Sequence, residues 1–269
     1  MSSTSQYTDF SDLYLGLQHR VRVTTGVSAT TEQAKQYINT ALHDFNLGFQ
    51  YKLPWLERQG QLRTHAPYST GTVAISVGST TLTGTDSLWN TTNSYGEANA
   101  RTTGKLVFEG TTDIYPITTV TSDTAVTLTN KYVGSAALSG ATYTYFEDTY
   151  DLASDFLRPM DFQFFSQARN IQLIPRDEFR RRFPRPNVAG NPEYACLLDL
   201  APTGSTSPIR RVQFYPYPST TLIIPYTYVT NAVGVSSAGS ALTSLSSDTD
   251  EPLIPLRYRH AIVYHALYH

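Results

Sequence analysis

Between residues 71 and 147 the chain runs as short alternating segments cut by turn residues. No other feature constrains the fold as much. Thr72-Val-Ala-Ile-Ser-Val77 alternates, meets Gly78-Ser79 and returns as Thr80-Thr-Leu-Thr83 before Gly84. Two such runs around a glycine-containing pair predict a hairpin. Leu106-Val-Phe108, Ile114-Tyr-Pro-Ile117, Ala125-Val-Thr-Leu128 and Thr142-Tyr-Thr-Tyr-Phe146 continue the pattern. Gly110, Ser122-Asp123, Asn130 and Ser139-Gly140 punctuate them as turns. About six short strands in one stretch imply a small β-barrel or sandwich. Its flanks differ in character, which predicts an insertion into another domain.

The N-terminal flank carries a helical period instead. Ala34, Tyr37, Ile38, Ala41, Leu42 and Phe45 fall on one face of a 3.6-residue repeat. Thr30 and Gln33 stand at capping-box spacing, and Gly48 and Pro54 mark the exit. A shorter helix is predicted around Asp9–Leu17, with Phe10, Leu13, Tyr14 and Leu17 on one side. Tyr51–Trp55 reads as extended. After residue 148 the pattern mixes. Pro175-Arg-Asp-Glu-Phe-Arg-Arg-Arg-Phe183 predicts a short helix with proline in its first turn. Val212–Pro216 and Leu222–Val229 read as strands whose prolines argue for sheet edges. Residues 231–250 read as an exposed loop, and a last helix follows Pro255. The expected fold class is α+β. A helical core, with a long N-terminal helix, a C-terminal helix and a β-strand region, is built from 1–70 and 148–269. An all-β barrel or sandwich module at 71–147 is inserted into it.

The charge balance narrows the function classes. Charged residues are only 16% of the 269, and the net charge is -2, so no global basic field exists to grip nucleic acid. The 20 basic residues divide into 16 Arg and 4 Lys, and there are 19 Tyr and 12 Phe. Interface cores favour Arg, Tyr and Phe and are depleted in Lys, because an ammonium is strongly hydrated whereas a guanidinium or phenol gives contact area and directed hydrogen bonds. This balance points to a chain that buries much of its surface against other chains. No apolar run reaches the roughly 20 residues of a membrane span. The segment Met1–Gln6 lacks the basic start and apolar core of a secretion signal, so a cytoplasmically made protein is expected.

The sequence carries few motifs of catalytic chemistry. No metalloprotease, nucleophile-elbow, Walker or dinucleotide motif is present. Cys196, the lone cysteine, lies in the apolar run Tyr194–Leu198 and reads as a buried, inert thiol. His265 and His269 have the i, i+4 spacing of two ligands on one helix face. No carboxylate is near them in sequence, so they read as a solvated pair. Asp248, Asp250 and Glu251 lack the alternating oxygens and glycine turn of a calcium loop. Asp151 and Asp155 could serve as paired carboxylates, but nothing in the sequence sets their separation. No metal, cofactor or catalytic residue is expected, and the chain does not read as an enzyme. Arg176, Arg180, Arg181, Arg182 and Arg185 form one basic run. It could be a solvated helix face paired with Asp177 and Glu178, a contact for an acidic protein partner, or a phosphate contact.

Several motifs now occur in a particular order. Tyr150-Asp-Leu-Ala-Ser-Asp-Phe156, Pro175–Phe179, Gly190–Tyr194, Val212–Pro218, Tyr226–Val229 and Asp250–Pro255 before a terminal helix resemble the head-to-tail adaptor (connector or neck) proteins of tailed bacteriophages. The match covers roughly 1–70 and 148–269, and Ala153 stands where proline is usual. The 71–147 block is similar to Thr/Gly-rich β modules inserted in neck and fibre proteins.

The resemblance implies a virion structural protein. Identical subunits, commonly about twelve, form a homo-oligomeric ring by a heterologous contact that closes on rotation. The ring sits on the portal protein, receives tail, nozzle or tail-fibre proteins on its other side and extends the DNA exit channel. DNA passes without specific binding, and no membrane is involved. In that family the C-terminal segment often docks on the portal, which carried over points to Tyr258, Arg259, Ile262, Val263, Tyr264 and Leu267. The same residues could instead pack on the first-block helix. The alternatives are another virion component, such as a tail-tube or fibre-attachment protein, and a carbohydrate-binding module that uses Trp89 as a stacking platform.

Overall fold

The computed structural model describes residues 7–22, 27–48, 53–164, 169–198 and 209–269. Part of the expected extended exit, residues 51 and 52, lies outside them. Of the described residues 35% are strand and 22% helix. The expectation of an α+β fold around a long N-terminal helical core is therefore overturned. Proline, β-branched and aromatic residues after position 148 drive that stretch into strands rather than helices. The helices are α1 (Phe10–Val21), α2 (Ser28–Gly48), α3 (Arg176–Arg182) and α4 (His260–Ala266).

The chain divides into two units. One comprises 1–58, 155–160 and 227–269; the other comprises 59–154 and 161–226. The first holds α1, α2 and α4. Asp9 caps α1 by accepting from the Asp12 amide at 3.0 Å, and Arg22 closes it in the left-handed region. Helix α2 starts at Ser28, so Thr30 is not its cap; the Thr30 hydroxyl donates to the Val27 carbonyl at 2.9 Å. Phe10, Leu13 and Leu17 of α1, Ala34, Ile38, Ala41 and Leu42 of α2, and Ile262, Val263 and Ala266 of α4 form one core.

The segment 231–250 is not an open loop. Val233, Leu245 and Ile254 join that core, and strands Gly234–Val235, Ala241–Leu242 and Glu251–Pro252 pair. The Asn39 side chain accepts from the Leu245 amide (2.8 Å) and donates to its carbonyl (3.0 Å). Small residues there allow the tight turns, while Leu245 supplies the anchor.

The second unit contains the Thr/Gly-rich block. Strands β1 (Thr72–Ile75), β2 (Thr81–Thr85), β3 (Lys105–Phe108), β4 (Tyr115–Ser122), β5 (Ala125–Leu128), β6 (Leu138–Ala141) and β7 (Tyr143–Phe146) form one sheet in the order β6-β1-β2-β5-β4-β3-β7. Strands β6 and β7 are separated in the chain only by Thr142, yet stand at opposite ends of this ladder. That is possible only if the sheet curls, and it forms a half-barrel rather than a closed barrel or a sandwich. The segment with Ser139-Gly140, read above as a turn, is strand β6; Gly140 supplies a positive φ there. Alternation puts Val73, Ile75, Leu82, Leu106, Phe108, Tyr115, Ile117, Val126, Leu128, Tyr143 and Tyr145 inside.

A further sheet of this unit runs in the order Gln172–Leu173, Tyr194–Leu198, Arg211–Tyr215, Thr149–Asp151. Arg211–Tyr215 is an inner strand, contrary to the edge expected from Pro216. The proline falls just after the strand ends, so it removes no ladder hydrogen bond. Ile223–Thr230 is likewise flanked by strands on both sides in its sheet, although Pro225 lies within it.

Candidate functional site

The sequence-predicted residues around α4 divide by burial. Ile262 and Val263 are fully buried in the core of their own unit. Arg259 is also buried. Its guanidinium donates to the carbonyls of Ile254 (2.9 Å), Pro252 (3.0 Å), Tyr7 (3.3 Å) and Thr8. Here the packing alternative holds, because a helix of seven residues has one apolar face and α1 and α2 take it. Tyr258, Tyr264 and Leu267 remain exposed. Tyr264 lies beneath the Arg20 guanidinium, 4.3 Å from its ring centre.

Beside Tyr258 the surface falls into an apolar groove of about 320 Å³. Phe45, Leu53, Trp55, Ile254, Tyr258 and Ala261 line it. The Trp55 and Tyr258 rings lie 6.1 Å apart at 36°. The Trp55 indole N–H is buried with no acceptor among the described residues. A buried donor without a partner costs about 1–3 kcal/mol. The sequence reading missed Phe45, Leu53, Trp55 and Ile254 as site residues. One signal was available, since a tryptophan directly after proline, at the exit of an amphipathic helix, is poorly placed to enter that helix's core.

The basic run lies on α3, in the other unit. Phe179 is buried against Ile174 and Cys196, and Phe183 stacks on Tyr215 at 3.7 Å. These two anchors turn Arg176, Arg180, Arg181, Arg182 and Arg185 outward, and all five are exposed. Arg182 pairs with Glu178 one turn back, and Arg185 bonds Thr112 and approaches Asp113 at 4.0 Å. Arg180 and Arg181 have no acidic partner among the described residues. Arg176 and Arg180 line a groove of about 470 Å³ with Lys105, Leu198 and Gln213. A second depression of about 450 Å³ shares Lys105, Arg176, Leu198 and Gln213 and adds Arg211. The carboxylates nearby are already engaged. Asp148 is fully buried and takes the Lys105 ammonium and the Gln213 amide, each at 2.6 Å. Asp151 takes Arg211 at 2.6 Å. Arg180, which has no acidic partner among the described residues, is the group of this face that an anionic surface would complement.

The densest charge cluster was not anticipated. Glu147 is 3% exposed and accepts from Arg101 Nε (2.7 Å), Arg101 Nη2 (2.6 Å), His65 Nδ1 (3.0 Å) and the Tyr145 hydroxyl. Burial pushes its carboxyl up; the His65 hydrogen bond and the Arg101 charge, with Tyr145, outweigh this and hold it below the usual range. His65 Nε2 lies 2.7 Å from Glu97 without forming a hydrogen bond to it, and Glu97 takes Arg101 (3.1 Å) and Arg63. Each acceptor is matched by donors from a distant stretch of chain, so the cluster ties residues 63–65 and 97–101 to the end of β7. Its chemistry is structural.

The other candidates also find partners. Asp248 meets Lys35 (3.3 Å) and the Tyr14 hydroxyl (3.1 Å), Glu251 meets Arg259 (3.5 Å), and Asp250 accepts the Ser246 and Ser247 amides (2.8 Å each). Asp155 accepts from Tyr228 (2.8 Å) and Thr230 (2.7 Å). Cys196 is buried, and burial pushes its thiol up to about 11. Trp89 is fully buried, its N–H on the Tyr143 hydroxyl at 2.9 Å, so it presents no face to a sugar. None of the helices described is long and apolar enough to cross a membrane. Comparison with protein-family models finds none that matches this chain, and comparison with curated proteins finds no match either.

Proposed function

We propose that the chain is a structural subunit of a bacteriophage neck. In this reading identical copies close into a ring that seats on the portal at the capsid vertex, receives the tail on its other side and extends the DNA exit channel. The protein then works by contact, without turnover or an organic cofactor, and it resides in the virion. One observation carries the reading. The apolar groove at Trp55 and Tyr258 presents exposed aromatic surface, and aromatic side chains are the anchors of interface hot spots. Its occupant in this reading is an apolar segment of the portal. The outward arginines of α3 support the same view from the other unit, as contacts for acidic patches on an adjoining protein.

The test is cosedimentation with purified portal. Ala261→Glu places a carboxylate in the groove, and Tyr258→Ala removes its exposed aromatic wall. Both variants keep the wild-type circular dichroism melt and lose portal binding. Wild-type binding by a folded Ala261→Glu protein would remove the groove from the account.

A further inference from the structure

We propose that Asp44, His265 and His269 form a binding site for one borderline divalent transition-metal cation, zinc foremost. Asp44 stands on the penultimate turn of α2. His265 is the penultimate residue of α4, and His269 follows four residues later. The Asp44 Oδ2 lies 3.2 Å from His265 Nε2 and 3.0 Å from His269 Nε2, and all three donor atoms lie within 4.8 Å of one another. Zinc bonds imidazole nitrogen and carboxylate oxygen at about 2.0–2.1 Å in a tetrahedron, whose ligand-to-ligand edge is then about 3.3 Å. The two contacts already measured are close to that edge. The imidazole rings stand edge to face at 86° with centroids 5.3 Å apart, and both Nε2 atoms approach the same Asp44 oxygen. Phe45 packs against His265 at 5.2 Å and limits its rotation.

The donor set decides the class of ion. Two imidazoles and one carboxylate suit zinc, nickel, cobalt and copper; magnesium and calcium require a shell of oxygens. Three protein ligands leave a fourth position open, for water or for a donor from a partner. All three side chains are partly exposed, so the ion can enter from solvent. Binding joins residues 44 and 265 and fixes the end of α4 on α2. Phe45 also forms a wall of the apolar groove, so the cation would stiffen that surface. The inference does not depend on the neck reading, because it rests on donor geometry alone.

Calorimetric titration of the full-length, chelator-treated protein with zinc chloride tests it, with magnesium chloride as control. One zinc per chain is expected, with no magnesium heat. Asp44→Asn, His265→Gln and His269→Gln each weaken zinc binding at least about tenfold, since each removes one of three ligands. Cobalt gives a readout that needs no variant. A tetrahedral visible spectrum on the wild-type protein supports the site; a spectrum that stays that of the aqua ion overturns it. The absence of saturable zinc binding, or wild-type affinity in a folded His265→Gln/His269→Gln protein, also overturns it and leaves the three residues as ion pairs.

Discussion

Replacing Arg101 with methionine removes both guanidinium donors, at 2.6 and 2.7 Å, to a carboxylate that is 3% exposed. Breaking a buried ion pair from one side costs about 3–5 kcal/mol, because the remaining charge loses its compensation. Glu147 keeps His65 and the Tyr145 hydroxyl, which places the expected cost at the low end, about 3 kcal/mol. Trp89 is in the same unit as Arg101, and Trp55 is the other tryptophan. Urea unfolding of a Trp55→Phe background, followed by Trp89 fluorescence, therefore reports on the right unit. With a urea slope of about 2 kcal/mol/M, the midpoint falls by about 1.5 M. Adding Glu147→Gln to Arg101→Met recovers part of the loss, because the stranded charge is then gone.

The pH dependence has a defined sign. Glu147's folded-state carboxyl lies below its unfolded value. Its contribution is thus fully present above the unfolded value and is lost as pH falls through the lower, folded one. The stability gap between the wild type and Glu147→Gln must narrow on acidification. A cost below about 0.5 kcal/mol for Arg101→Met, or a gap that is flat across the acid range, refutes the assignment of this cluster as the clamp of the unit.

Three further outcomes follow from the same packing. Cys196, buried with its thiol at about 11, stays unlabelled by a thiol reagent at neutral pH and reacts only when urea unfolds its unit. Arg259→Lys loses the planar fork that serves several carbonyls; it lowers the stability of the helical unit by about 3 kcal/mol, read from Trp55 fluorescence. Trp89→Phe removes buried volume and the donor to Tyr143, and costs about 2 kcal/mol in urea unfolding followed by far-ultraviolet circular dichroism.

Local periodicity was the legible part of the sequence. The stripe of Ala34, Ile38, Ala41 and Leu42 is buried as its spacing predicts, and so are Phe10, Leu13 and Leu17. Phe179 anchors the short arginine helix from the face its spacing assigns. The balance of fold class was not legible. One long amphipathic helix makes a chain look helical, yet the two-residue strands after position 170 pair with partners far along the sequence and carry little periodicity of their own. Segment 231–250 misled for a related reason. Serine, alanine and glycine fit both an exposed loop and tight turns around a single anchor, and only Leu245 separates the two.

The charged cluster did leave a trace. Tyr143, Tyr145 and Glu147 share one parity of an alternating run, which places a carboxylate on the core-facing side and calls for a buried partner. Which partner it has depends on folding that brings Arg101 and His65 to it. The same holds for Asp44 and His265, 221 positions apart.

In the neck function proposed above, copies of this chain and adjoining rings cover its surface. Electron-microscopic imaging of the purified protein, with and without purified portal, is the decisive measurement. Closed rings are expected, or rings that form only when seated coaxially on the portal. A population of single subunits that ignores the portal under both conditions would refute the proposal.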